Sequence, residues 1–412
     1  MINNIDASLS LSMTRKYRII NNKNLNQTNM NKKTIPIFLA FLTMGIADAM
    51  GPMSDAVMNQ YQLNNVMATL LPFFVFIAFA VFSVPGGLLA SRIGKKNLLL
   101  VGLGLNALAL LVPTLIVPSY MLLLACILIL GIGTSFLQVA GNPIMRDVST
   151  SGAYSRNLAF AQGIKGIGST ASAYLVTAVA ALVLFKDLGW RAAFPVFFIL
   201  MALTFVSVLF IKVEETKADV PPSFKSSLGL LKNPVFLMAV IGIFLYVGAE
   251  VCMARFLLPL NKAIGMSPED ASKYGAPLFF LLLTIGRLVG GVTLTVLNPR
   301  NFFRISALMG LIGILLLMVG NPILAIVGVI VGGLGFANIW PLLFSITVEE
   351  KPEAANELSG LMCMAISGGA IIPLFMGKMV DMEMSAFSFI IPAICFGYLL
   401  ILSLKGTKKA AV

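Results

Sequence analysis

From Thr34 onward the chain is a succession of apolar stretches, each about as long as a helix needs to cross a bilayer, roughly 20 residues. Twelve spans are predicted, at about 35–58, 66–90, 97–117, 120–145, 156–184, 190–212, 234–258, 271–296, 302–319, 322–348, 355–379 and 385–404. The polar interruptions are short, and the third and fourth spans are parted only by the turn Pro118–Tyr120. One connection is longer, Val213 to Asn233, with Glu214, Glu215, Lys217, Asp219, Pro221 and Pro222. Read as a linker over 213–233, it separates an N-terminal six-helix bundle (34–212) from a C-terminal one (234–404), with a tail at 405–412. Residues 1–33 are polar and Asn-rich without the apolar core of a signal peptide, and are expected to form a disordered cytoplasmic tail. A weak repeat supports the division: Gly86-Gly87 through Lys95-Lys96 closes the second span much as Gly290-Gly291 through Pro299-Arg300 closes the eighth. The expected fold is therefore an all-α membrane protein with 12 transmembrane helices in two pseudo-symmetric bundles, an arrangement that puts a binding site near the midplane between the halves.

Composition agrees. The chain is 58% hydrophobic and 11% charged, where a soluble domain would carry about 25% charged residues. The net charge of +12 does not point to nucleic acid, because the basic residues lie at helix ends, where topology and anionic lipid account for them. Of 29 Lys and Arg, 21 fall on the side of the termini and linker, five on the other (Lys186, Arg191, Lys262, Lys273, Lys378), and three within spans. That bias predicts both termini in the cytoplasm. Cys126, Cys252, Cys363 and Cys395 all fall in apolar segments with no metal-ligand spacing, so free thiols and no metal or other cofactor are expected. With no histidine in the chain, any proton coupling must use carboxylates.

Five charges lie inside spans: Asp48, Lys165, Glu250, Arg255 and Arg287. Each costs roughly 3 kcal/mol or more at the bilayer centre, so buried charges of both signs on several helices point to a pathway for something polar. Low dielectric penalises the charged form of a carboxyl, so Asp48 can take up a proton facing one side and release it facing the other; the alternative is a static partner for a buried base. Lys165 lies about 13 Å in from Arg156, too deep to reach the interface comfortably, among Gly163, Gly166 and Gly168, which make a narrow face. Two roles stay open for it: salt-bridge partner of Asp48, or receptor for an anionic substrate. Gln162 is one turn away. Glu250 and Arg255, five apart, do not face each other. Arg255 can bind an acidic group bidentately or reach the outer interface. Glu250 is either a substrate ligand or a structural partner, and Arg287 is expected in a gating or helix-clamping ion pair rather than in substrate contact. Asn142 can hold substrate or a neighbouring helix, and Pro143 is expected to kink the fourth span. Ser91, Arg92, Lys95 and Lys96 are read as cytoplasmic gate and topology determinants, and Tyr246 and Trp340 as rings able to stack on the apolar face of a substrate.

The run Gly87 to Lys96 resembles the loop motif of the major facilitator superfamily, GxxxD(R/K)xG(R/K)(R/K), with Ser91 in place of Asp. More narrowly, Gly45–Asp48, Gln138–Pro143, Ala161–Gly168, Tyr246–Glu250 and Gly286-Arg287 resemble the fucose:proton symporter family of sugar transporters. The resemblance implies a monomeric transporter of the bacterial cytoplasmic membrane, with Asp48 as the proton-coupling acid and Gln138, Asn142, Gln162 and Glu250 near a sugar. Gln138 stands where the fucose symporter has Glu, as in glucose- and galactose-type members; it cannot titrate, which excludes a second coupling carboxylate there. Lys165 departs from the uncharged polar residue of sugar-specific relatives. The expected function is proton-coupled sugar import by alternating access. The first alternative is a carrier for an acidic sugar, a uronate or sulfated sugar, using Lys165. A metabolite or drug exporter is more distant, since Gly163 to Tyr174 lacks the proline such carriers have in the fifth span. No arrangement of residues suggests an enzyme.

Overall fold

The computed structural model describes residues 34–63, 67, 70–180, 183–215 and 222–405; the tail at 1–33, most of that at 405–412 and part of the linker lie outside them. The first span is α1 (Thr34–Met44) and α2 (Met50–Tyr61), joined by a 3-10 turn over Gly45–Ala49. It is followed by α3 (Leu70–Ile93), α4 (Lys95–Leu115), α5 (Tyr120–Asp147), α6 (Tyr154–Ala180) and α7 (Ala193–Leu209). A short α8 (Phe224–Gly229) lies in the linker. The second half holds α9 (Pro234–Ala263), a short α10 (Pro268–Lys273), α11 (Ala276–Thr293) and α12 (Pro299–Met318). Its tenth span breaks into α13 (Pro322–Ala337) and α14 (Ile339–Glu350), its eleventh into α15 (Ala355–Met364) and α16 (Gly368–Asp381), and α17 (Ile390–Lys405) closes it. Ten helical stretches are long and apolar enough to cross a membrane, with a shorter apolar one over Thr34–Asp48. The first span and α6 complete twelve passes. The predicted spans thus hold, but three that read as continuous from hydropathy are broken near their middles.

Three helices of the second half start at an Asn-Pro pair. Asn233, Asn298 and Asn321 each accept a hydrogen bond from the first turn at 2.9–3.0 Å (from Val235, Arg300 and Ile323), and the following proline supplies the helical φ where no N–H is needed. Between α3 and α4, Gly94 adopts φ +93°, and the Glu215 carboxylate accepts from the backbone N–H of Lys95 and Lys96 at 2.6 and 2.8 Å, capping α4 from the linker.

Within the first half α3, α4, α5 and α7 pack as neighbours and α1 lies against α5, α6 and α7; in the second, α9 packs on α16 and α17, and α12 on α13 and α17. The halves meet along α3 with α15 and along α6 with α11. At α6 the approach is close enough to demand glycine on two sides. A Cβ on Gly163 would come within 2.6 Å of Leu288, and one on Gly168 would run into the Leu42 carbonyl of α1.

Candidate functional site: the seam between the halves

Hydrogen bonds and ion pairs between described residues join the halves toward the end carrying the linker, here called the linker end. Arg146 Nε meets Glu349 at 2.8 Å, Ser155 and Ser345 share a hydroxyl bond of 2.8 Å, and Asn356 donates to Ser91 Oγ at 3.1 Å. Deeper in, Ser359 Oγ donates to the Val139 carbonyl at 2.8 Å, and Asn142 Nδ2 points at Cys363 Sγ at 3.9 Å. Cys363 sits about 12 Å along from the start of α15. The Ser359 bond has a specific cause. Pro143 has no N–H, so the carbonyl four residues earlier, that of Val139, loses its helical donor and is left for the other half. Around Pro143 α5 stays helical to Asp147, and the released acceptor is filled from across the seam. Glycine again allows the approach, for a Cβ on Gly87 would come within 2.6 Å of the Asn356 carbonyl.

Beyond this seam the interior opens toward the opposite end. On α6 the positions Gln162, Lys165 and Ser169 form one stripe. It lies between the face that meets α1 (Gly168) and the face that meets α11 (Gly163 and Gly166), while Ile167, 44% exposed, points the other way. Exposure rises along the stripe with distance from the linker end. Gln162 is buried and donates to Asn142 Oδ1 at 3.2 Å, Lys165 is half-buried, and Ser169 reaches Asp48, which is exposed. Asn142 and Gln162, with Gln138 one turn before Asn142 on α5, thus form a buried polar floor.

Asp48 was expected deep and buried within a helix. The structure instead places it on the 3-10 turn, accessible, with Oδ2 accepting from Ser169 Oγ at 2.5 Å. Gly45 of that turn lies flat against the α6 backbone at Gly168 and Ser169, which sets the carboxylate over the stripe. Ser169 Oγ also lies 3.1 Å from the Lys165 carbonyl. Lys165 does not pair with Asp48: among the described residues no carboxylate comes within 4.0 Å of its ammonium.

In the second half Glu250 and Arg287 pair with each other. Arg287 on α11 lies 3.5 Å from Glu250 on α9, 3.5 Å from the Tyr246 hydroxyl, and donates through Nε to the Ala337 carbonyl at 3.1 Å. That carbonyl is again four residues before a proline, Pro341, so Arg287 fills a vacancy in the broken tenth span. Arg287 thus contacts α9 through Glu250 and Tyr246 and the tenth span through Ala337. Because Leu288 packs into Gly163 and Thr284 against Gly166, the Glu250–Arg287 pair sits at about the depth of Lys165 across the interior.

Other expected site residues lie elsewhere. Arg255 is exposed, its guanidinium 5.8 Å over the Phe256 ring. Arg92 is exposed at the linker end, and Ser91 beside it, not Arg92, makes the bond to the other half. Lys95, read as a surface gate residue, is 1% exposed and paired with Asp147 at 2.5 Å, a buried bridge between α4 and α5. Tyr246 and Trp340 do not present open rings: Tyr246 is fully buried and Trp340 stacks on Phe344 at 4.8 Å. Ser169, Ser359 and Asp147 were not singled out in the sequence. Only Ser169 carried a signal there, as the next member of the Gln162–Lys165 stripe.

Two helical bundles that meet along a seam, closed at one end and lined with polar and charged groups beyond it, define a membrane transporter. The profile of the Major Facilitator Superfamily matches residues 37–404, and the chain belongs to that superfamily. It is similar to the glucose/galactose transporter of Brucella abortus, 28% identical over 363 residues covering 85% of this chain and 88% of that one. It is also similar to the L-fucose-proton symporter of Haemophilus influenzae, 22% identical over 93% of this chain and 99% of that one. The solved structure of the Escherichia coli fucose:proton symporter covers 92% of this chain and 100% of its own at 20% identity, with a TM-score of 0.78. A structure of the same symporter in the outward conformation gives 0.79 at 19% identity, with the same coverage.

Proposed function

We propose that the protein is a secondary active transporter that imports a hexose or hexose derivative by alternating access, with a proton carried on Asp48. The observation that carries this reading is the setting of Asp48: a carboxylate at a break in the first span, accessible beyond the closed seam and held by a hydroxyl on the interior stripe of α6. The two relatives described above support it, one being a glucose/galactose transporter and the other an L-fucose-proton symporter by name. With the termini in the cytoplasm, as the Lys and Arg bias indicates, the closed linker end faces the cytoplasm and the accessible Asp48 faces outward. The bundles 34–212 and 234–404 then rock about the α3–α15 and α6–α11 contacts in a monomer of the bacterial inner membrane. Gln138, Asn142 and Gln162 supply amide donors and acceptors to sugar hydroxyls from the floor. The Glu250–Arg287 pair forms the opposite wall.

The test is uptake of labelled sugars into proteoliposomes under an imposed pH gradient, in the wild type and in Asp48→Asn. Concentrative uptake should be lost in Asp48→Asn while exchange of sugar across the membrane persists. Gradient-driven accumulation by Asp48→Asn at the wild-type level would remove Asp48 from the coupling.

A further inference from the structure

The ionic side chains of the interior do not cancel in pairs. Glu250 has Arg287 at 3.5 Å, and Asp48 is bound by the Ser169 hydroxyl. Lys165, half-buried on the stripe between them, has no carboxylate within 4.0 Å among the described residues. The other charges on elements packed against α6 are remote from it. The helices α1 and α7 carry none. The helices α5 and α14 contribute the Arg146–Glu349 pair, Asp147 beside Lys95, and Glu350 beside Arg300, all at the linker end. Arg191 lies past the end of α6 and donates to the Pro113 carbonyl at 3.2 Å. Among the described residues, the charged groups near the depth of Lys165 are Asp48 on the turn, Glu250 on α9 and Arg287 on α11.

From this arrangement we infer that the substrate is a sugar bearing one negative charge, a uronate or sugar sulfate, whose acidic group is received by Lys165, and that it enters with one proton in an electroneutral step. The inference rests on the reading of the protein as a proton-coupled sugar transporter. Its ground is the charge of the two forms that must reorient. In the empty form Asp48 is ionised, and Asp48 with Lys165, and Glu250 with Arg287, sum to zero. Loading a proton on Asp48 neutralises the carboxylate and leaves the Lys165 ammonium in excess. A neutral sugar would carry that excess across a low-dielectric interior, where an uncompensated charge is costly. A monoanion restores the sum to zero. Chemically the site suits the task. An ammonium supplies up to three donors to a carboxylate or sulfate, and Gln162 and Asn142, one turn below, are amides for the ring hydroxyls.

The experiment measures uptake into proteoliposomes of radiolabelled D-glucuronate, D-galacturonate and galactose 6-sulfate against D-glucose, D-galactose and L-fucose. It uses a fixed pH gradient, with the membrane potential set by potassium and valinomycin. Wild type should accumulate at least one acidic sugar, and its initial rate should stay the same when the potential is changed from zero to inside-negative. Lys165→Gln should lose acidic-sugar uptake by roughly tenfold or more, the scale of one charge-assisted bond, with Lys165→Arg retaining part of it. The wild-type arms do not depend on how well the variants fold. If wild type moves only neutral hexoses and the acidic sugars neither enter nor compete, the inference falls while sugar transport stands. Acidic-sugar uptake that accelerates with potential also overturns the electroneutral step. If no sugar of either class is moved, the underlying reading falls with it.

Discussion

The hydroxyl of Ser359 should hold the seam shut through one bond, and the reason lies on the other half. Its acceptor, the Val139 carbonyl at 2.8 Å, has no helical donor because residue 143 is proline, and both groups are buried. Ser359→Ala therefore leaves a buried carbonyl unsatisfied, at a cost of about 1–3 kcal/mol. The cost applies to the form closed at the linker end, since water reaches the carbonyl once the seam parts. The open-to-closed ratio should rise about 5- to 30-fold for 1–2 kcal/mol. Cys363 reports it. Its thiol is free, fully buried and in the seam, so alkylation by N-ethylmaleimide follows the fraction of molecules open there, while Cys252 and Cys395, buried on α9 and α17, serve as controls. The decisive comparison is the same substitution in a Pro143→Ala background. There the new N–H of residue 143 can serve Val139, and Ser359→Ala should change the labelling rate by less than about twofold. Equal acceleration in both backgrounds would refute the assignment of the effect to the proline-released carbonyl.

Four further substitutions test the packing. Gly87→Ala, whose Cβ would meet Asn356 across the seam, should speed Cys363 labelling with little change in thermal unfolding; Gly168→Ala, which collides with Leu42 inside one half, should lower the melting temperature in detergent. Asp147→Ala removes the carboxylate from a pair in which each side chain is 1% exposed and should cost about 3–5 kcal/mol, read as a large fall in melting temperature or loss of folded protein. Arg146→Ala breaks a pair whose members are 23% and 48% exposed, and should alter Cys363 labelling by less than about fivefold, the scale of a surface bridge.

The twelve passes were legible because hydropathy is a property of single segments. So was the interior placement of Lys165, Glu250 and Arg287, through the cost of a charge in lipid. What a charge pairs with was not legible, since partners sit on different helices whose rotation depends on packing: Arg287 finds Glu250, Lys95 finds Asp147, and Lys165 does not find Asp48. Pro143 could be seen as removing a hydrogen bond, but the use of the freed acceptor depends on Ser359, 220 positions away in sequence. The break at Gly45–Ala49 was hidden for the opposite reason, because its residues are as apolar as the helices around them apart from Asp48.

The Ser169 hydroxyl has one hydrogen and two acceptors within reach, the Asp48 carboxylate at 2.5 Å and the Lys165 carbonyl at 3.1 Å. It can serve only one at a time. When Asp48 is ionised, that hydrogen belongs to the carboxylate. When Asp48 is protonated it becomes the donor, the serine oxygen accepts, and the serine hydrogen turns to the Lys165 carbonyl. An infrared band isotope-edited at that carbonyl should then move with pH in the wild type and stay fixed in Ser169→Ala. On the coupling proposed above, the serine is a rotor that transcribes the occupancy of the acid into the backbone of the residue bearing the lysine.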